Sequence, residues 1–210
     1  MGPGVCRDDG VGAHRAMIYL ASQSPRRREL LGQLGVDFSI LDVDVPEARA
    51  PGEPPEDYVS RVAREKAAAG LMQVVAVPDA IVIGADTEVV LGDAVFGKAA
   101  DAADAARMLR LLSGRAHRAI STVWCVSASR EDHATSDTRV EFMPLGEDDI
   151  AAYVASGEAF GKAGAYAIQG RAAAFVARLD GSHSGVMGLP LHETAQLLRR
   201  FNVVVPAKAK

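Results

Sequence analysis

The chain is predicted to adopt an α/β fold in which helices flank a mixed central sheet, on three observations. Segments of strand and helix character alternate from residue 17 onward. Ala80-Ile81-Val82-Ile83-Gly84 is a near-continuous apolar run, as in a strand covered on both faces. Beyond it, apolar runs flank Gly92-Asp93, a hairpin signal that adds antiparallel pairing to the alternation.

Residues 18–21 read as a short buried strand. Residues 25–34 read as a helix, with Ser24 as N-cap, Pro25 at its first position and Gly35 past its end. A second strand covers 38–43. A longer helix covers 54–69, with Glu56 and Asp57 in its first turn and Gly70 as its stop. Tyr58, Val59, Val62 and Ala63 form its apolar stripe. The strand at 80–84 precedes a hairpin of 87–91 and 94–96. A helix over 101–112 stops at Ser113-Gly114. Strands are expected at 116–128 and 135–142, joined by a loop near 130–133. A helix at 148–155, a strand at 173–179, a helix at 190–201 and a strand at 203–205 complete the chain. Residues 17–206 are expected to form one domain. Residues 1–16 read as a disordered extension or a tag, with Met17 as an alternative start.

The 210 residues are 49% hydrophobic and 24% charged, so a sizeable core is available. A net charge of −4 argues against a nucleic-acid-coating protein, but leaves room for a small anion held by a local cluster of cations. Cys6 and Cys125 form no metal-ligand spacing or disulfide framework, and Cys125 reads as a small buried hydrophobe. No apolar run is long enough to span a bilayer, and no secretory h-region is present, so the cytoplasm is the expected location. His117, His133, His183 and His192 make no catalytic or metal motif. Trp124 reads as core.

The most unusual local feature is Ser22-Gln23-Ser24-Pro25-Arg26-Arg27-Arg28, between a strand and a helix. A helix start carries partial positive charge and free N–H groups, so acidic residues belong there. Three arginines occupy the first turn instead. A phosphate would resolve that conflict through the free N–H groups, the serine hydroxyls and a guanidinium fork. The other reading is a solvated basic face.

Asp86 follows the buried strand, where α/β folds place their ligands. It suits a metal ligand or a base for water, and equally an Asx turn with Thr87. Glu47 lies on an acidic edge with Asp42 and Asp44. Mg²⁺ in nucleotide sites is usually held by one or two carboxylates plus phosphate oxygens, which Glu47 and Asp86 would supply, with Asp44 as the competing candidate. Lys66 sits late in the second helix and by itself reads as solvated. Lys98 follows Gly97, whose flexible backbone would let an ammonium reach a phosphate. Gln169 offers a carboxamide donor and acceptor, which complement uracil or thymine and would equally bond a backbone.

Leu20-Ala21-Ser22-Gln23-Ser24-Pro25-Arg26-Arg27 resembles the opening motif of the Maf family of nucleotide pyrophosphatases. The resemblance runs from about residue 17 to 201. It includes Ala63-Arg64-Glu65-Lys66-Ala67, Gly84-Ala85-Asp86-Thr87, Phe96-Gly97-Lys98, residues 108–114 and 162–170, and Gly188-Leu189-Pro190-Leu191. The chain departs from the family pattern at Pro46-Glu47, Ala99 and Glu158-Ala159. The resemblance implies two lobes around a nucleotide-binding cleft, an architecture shared with inosine-triphosphate pyrophosphatases. It implies metal-dependent hydrolysis of dTTP and UTP to the monophosphate and pyrophosphate, with Asp86 as general base. Mg²⁺ or Mn²⁺ would be held by Glu47 and Asp86. Ser22, Ser24, Arg26, Lys66, Lys98 and Lys162 would surround the triphosphate. Arg27, Thr87 and Gln169 match the positions that set base preference in the dTTP/UTP branch. A homodimer is the implied assembly. Two rival expectations are a purine house-cleaning pyrophosphatase, acting on ITP, XTP or 7-methyl-GTP, and a non-catalytic nucleotide-binding regulator of division.

Overall fold

A computed structural model describes residues 16–206. The extension expected over residues 1–16 falls, but for Ala16, outside the described residues.

One seven-stranded mixed sheet organises the chain. Strand β1 (Met17–Ala21) leads into helix α1 (Pro25–Gln33), and strand β2 (Phe38–Leu41) returns parallel to β1. Helix α2 (Pro55–Gln73) then carries the chain to β3 (Ala80–Leu91), parallel to β1 on its other side. The short β4 (Ala94–Phe96) folds back on β3. After α3 (Ala102–Leu112), β5 (Ala116–Val126) and β6 (Glu131–Phe142) extend the sheet antiparallel. Helix α4 (Glu147–Ala155), a 3₁₀ turn (Arg171–Phe175), strand β7 (Val176–Asp180), and helices α5 (His183–Met187) and α6 (Leu191–Arg200) follow. The sheet order is β2-β1-β3-β5-β6-β7, with β4 paired to β3.

Alternation along β3 divides the core between two layers. Ile81, Ile83 and Ala85 join Leu20, Leu30, Leu31, Leu197 and Leu198, so α1 and α6 cover that face. Val82 and Val90 turn the other way. Val82 packs with Tyr19, Ala21 and Val74, and Val90 with Tyr58, Val59 and Val62 of α2. A further core gathers α3, α4, Val140, Phe142 and Tyr166 beyond the β4 hairpin.

The structure corrects several expectations. Gly70 does not end α2, which continues to Gln73. A Cβ at Gly70 would lie 2.9 Å from Val82 and 3.0 Å from Ala21, so this glycine lets the helix rest on the sheet. The expected break between 84 and 87 is absent, and β3 is one 12-residue strand. Asp86 therefore lies inside a strand, opposite Thr122 of β5, and not in an Asx turn at a strand end. Residues 203–205 form no strand, and the short α5 arises where none was expected. The expected strand at 173–179 begins only at Val176, after the 3₁₀ turn. Trp124 is half-buried: it stacks on His133 at 4.3 Å and donates to Ser60 Oγ at 3.1 Å. Cys125 is fully buried, as expected.

Gly84 marks the closest approach of α2 to the sheet. A Cβ there would meet Ala63 O at 2.3 Å and Ala67 N at 2.5 Å, both helix backbone. Gly84→Ala is expected to destabilise the fold by about 3 kcal/mol, because backbone must move to admit the methyl. Gly32→Ala has nothing within 4 Å of the new carbon and is expected to stabilise by about 0.5–1 kcal/mol. Urea unfolding of both variants checks the pair. His117 is buried, bonds Tyr166 Oη at 2.9 Å, and is held by burial at a pKa of about 4 instead of 6.5. Its folded form thus resists protonation. Stability is full above pH 6.5 and falls as pH drops toward 4, by up to about 3 kcal/mol from this group. Comparing His117→Gln with the parent chain across that window should show this share of the acid sensitivity removed.

Candidate active site

The sheet registers create the cleft. Pairing of β1 with β3 stops at Leu20–Ile83, and pairing of β4 with β3 resumes at Val89–Phe96. Residues 84–88 are therefore paired to β5 alone and have an open edge. The loop from β1 to α1 emerges beside this gap, at the C-terminal end of a parallel strand, where α/β folds bind ligands. The resulting cavity has a volume of about 850 Å³, ample for a nucleotide.

One wall is the start of α1. Ser24 caps it by accepting from Arg27 N, and no acidic side chain occupies the first turn. Ser22 Oγ accepts from Ser24 N at 3.2 Å. Arg26 donates to Gly161 O at 3.4 Å, and Arg27 Nε donates to Gly188 O at 2.9 Å. These two contacts anchor the guanidinium groups on different segments, the loop at Gly161 and the C-cap of α5. Burial, with Arg27 alongside, lowers the Arg26 pKa. Arg28 is exposed and outside the lining.

The floor is β3 and the helix above it. Because α2 touches the strand at Gly84, Lys66 is carried over Asp86, two residues further on. Lys66 Nζ donates to Asp86 Oδ1 at 2.7 Å and to Glu47 Oε1 at 2.6 Å. Lys98 Nζ donates to Glu47 Oε2 at 2.7 Å. Burial raises the Glu47 carboxyl, but hydrogen bonds from Lys66 and Lys98 outweigh it and hold the group at about 2. Both Glu47 oxygens are thus engaged, whereas Asp86 Oδ2 is buried without a partner. An orphaned buried carboxylate oxygen is costly unless a proton or a cation meets it. Asp86 thereby fits a divalent cation of the hard, oxygen-seeking kind.

Lys162 reaches the same cavity from the segment between α4 and the 3₁₀ turn. The backbone of Lys98 bridges to Ala163, and Gly164 N donates to Phe96 O at 2.9 Å, so the two lysine loops lie side by side. Burial, with Arg26 nearby, lowers the Lys162 pKa. On the other face of β3, Thr87 Oγ1 and Ser121 Oγ lie 2.7 Å apart, and Ser121 donates to Gly185 O at 2.6 Å. This chain of bonds fixes α5, so that Val186, Met187 and Gly188 line the cavity beside Arg27 and Thr87.

Ser22, Ser24, Arg26, Arg27, Glu47, Lys66, Asp86, Thr87, Lys98 and Lys162 therefore all meet at one cavity. Gln169 does not. It is exposed and absent from the lining. Asp42 and Asp44 reach the rim, and His183 stays outside. One charged lining residue escaped the sequence reading. Glu88 is buried and shares the face of Asp86, and its Oε2 has no partner. Burial, then Asp86 and Glu47, push its carboxyl up to about 8. The signal for it was strand alternation, which the expected break at 84–87 concealed.

Lys66 is the only cation that contacts Asp86 among the described residues. Lys66→Met should cost about 3 kcal/mol or more, by leaving two carboxylates without their shared ammonium. Adding Asp86→Asn should recover part of that loss, and a double-mutant cycle by urea unfolding at pH 7 reads the coupling.

The family model for Maf-like protein matches residues 17–201. A dTTP/UTP pyrophosphatase of Xanthomonas euvesicatoria is 58% identical over 187 residues, covering 88% of this chain and 98% of its own length. Proteins with the same name from Cupriavidus metallidurans and Aromatoleum aromaticum are 53% and 51% identical, and cover 88% and 89% of this chain and 96% of their own lengths. The matched span holds every element that shapes the cavity, and the chain belongs to the Maf family.

Proposed function

We propose that this chain hydrolyses dTTP and UTP between the α- and β-phosphates, yielding the monophosphate and pyrophosphate. The observation that carries the reading is Asp86. It is buried in the cleft floor, tied by one oxygen to Lys66 and free at the other, across from a cationic helix start. The names of the Xanthomonas, Cupriavidus and Aromatoleum relatives support the same substrates.

The triphosphate lies over the start of α1, where free N–H groups and the Ser22 and Ser24 hydroxyls receive phosphate oxygens. Arg26, Lys98 and Lys162 offset the charge on the departing pyrophosphate. Lys66 holds Asp86 in place through Oδ1 on the cavity floor. Asp86 positions the attacking water for in-line approach to the α-phosphorus, and the water's proton passes to a carboxylate of the floor or to solvent. Mg²⁺ or Mn²⁺, when bound, supplies charge neutralisation of the phosphates and polarises the scissile group. Arg27 and Thr87, on the α5 face of β3, meet the base. Gln169, the third position that the resemblance links to base preference, is exposed and lies outside the cavity lining. The cytoplasm, where these nucleotides are made and used, is the inferred location, and a homodimer the inferred assembly. Among the described residues, no helix is long and apolar enough to cross a membrane.

Purified protein with Mg²⁺ and a panel of dTTP, UTP, CTP, GTP, 7-methyl-GTP and ITP tests the reading. The expected products are dTMP or UMP with pyrophosphate. Asp86→Asn should lower kcat by about 10²–10⁴-fold while the fold is retained. Diphosphate with orthophosphate would mean attack at the γ-phosphorus. Preference for a purine would overturn the assignment of the base to Arg27 and Thr87.

A further inference from the structure

We propose that Glu88 and Asp86, and not Glu47 and Asp86, form the carboxylate pair that takes the divalent cation in this cleft. The inference deepens the proposed hydrolysis and depends on it for the cation's role.

Of the four carboxylate oxygens of Glu47 and Asp86, three already accept a hydrogen bond from a lysine. Glu47 Oε1 and Oε2 accept from Lys66 and Lys98, and Asp86 Oδ1 accepts from Lys66. A cation joining Glu47 to Asp86 would have to enter where the Lys66 ammonium sits, against like charge. The two oxygens left without partners are Asp86 Oδ2 and Glu88 Oε2, both fully sheltered from solvent. Their residues are 5% and 8% exposed and line the same cavity. They stand two apart in one continuous strand, so their side chains share a face, with Cα atoms about 7 Å apart. Asp is short and Glu one methylene longer. Oxygens about 3–4 Å apart around a cation at about 2.1 Å are within that reach.

No three His, Cys, Asp or Glu side chains converge on one point among the described residues. Two carboxylates with phosphate oxygens and water completing the shell is the usual arrangement for Mg²⁺ at a nucleotide. Lys66 and Glu47 then have a separate task. Lys66 holds Asp86 Oδ1 and Glu47 holds the same ammonium, which leaves Oδ2 as the unpartnered Asp86 oxygen.

The test is direct binding of Mn²⁺ to the nucleotide-free full chain, read as loss of the free-ion electron paramagnetic resonance signal. The parent chain is expected to bind Mn²⁺. Glu88→Gln keeps the size of the side chain and should weaken binding at least tenfold, whereas Glu47→Gln should change it less than threefold. Glu88→Asp keeps the charge but draws the oxygen back by one methylene. It should weaken binding at least threefold, which keeps the test sound if the amide variant does not fold. Mn²⁺ affinity unchanged in either Glu88 variant overturns the pair, as does a tenfold loss in Glu47→Gln or no binding by the parent chain. Turnover plays no part in this readout. Absence of pyrophosphate release from dTTP would overturn the hydrolysis, and the cation pair would still be judged on Mn²⁺ alone.

Discussion

The Lys66 ammonium, set between Asp86 and Glu47 under a helix that touches the sheet, is the contact on which the cleft depends. An ammonium and a carboxylate buried together repay their desolvation only when geometry is tight and other hydrogen bonds are met. Here the geometry comes from the backbone. Gly84 and Gly70 remove the side chains that would hold α2 off β3, and the helix settles close enough for Lys66 to reach Asp86. A helix lysine that composition assigns to water becomes one of the few buried charges among the described residues.

The interrupted pairing of β3 serves the same end. A strand buried on both faces normally spends its edges on neighbours. Between Ile83 and Val89 one edge of β3 has no strand beside it among the described residues, and the cavity lies along that gap. The two faces then differ in chemistry. Asp86 and Glu88 face α2 and its lysine. Thr87 faces Ser121, α5 and Arg27. The proposed phosphate chemistry and the proposed contacts for the base are thereby separated by one residue of pleat.

Charge is arranged so that each wall is incomplete alone. The first turn of α1 holds arginines where carboxylates belong, and Arg26 and Lys162 are both pressed toward lower pKa by burial. The floor holds carboxylates with unpartnered oxygens. In the proposed reading a metal-bound polyphosphate would satisfy both, accepting bonds from the helix start and presenting a cation to the floor.

Much of this was legible in residue order. The α/β class, the capped start of α1 and the concentration of cations at Ser22–Arg27 follow from local rules of capping, dipole and periodicity, which act within a few residues. Residue order also named Asp86, Glu47, Lys66, Lys98 and Lys162, through resemblance of short motifs. It misjudged Gly70 as a stop, because a glycine in a helix looks the same whether it ends the helix or admits a neighbouring strand. It also split β3 at Asp86 and so missed Glu88. A charged pair inside an apolar run resembles a turn until a helix lysine is seen to cover it. Which side chains share the cavity, that Gln169 does not, and which carboxylate oxygens remain free were decided by tertiary structure alone. These depend on strand register and on the distance of α2 from β3, and both are set by packing between segments far apart in the chain.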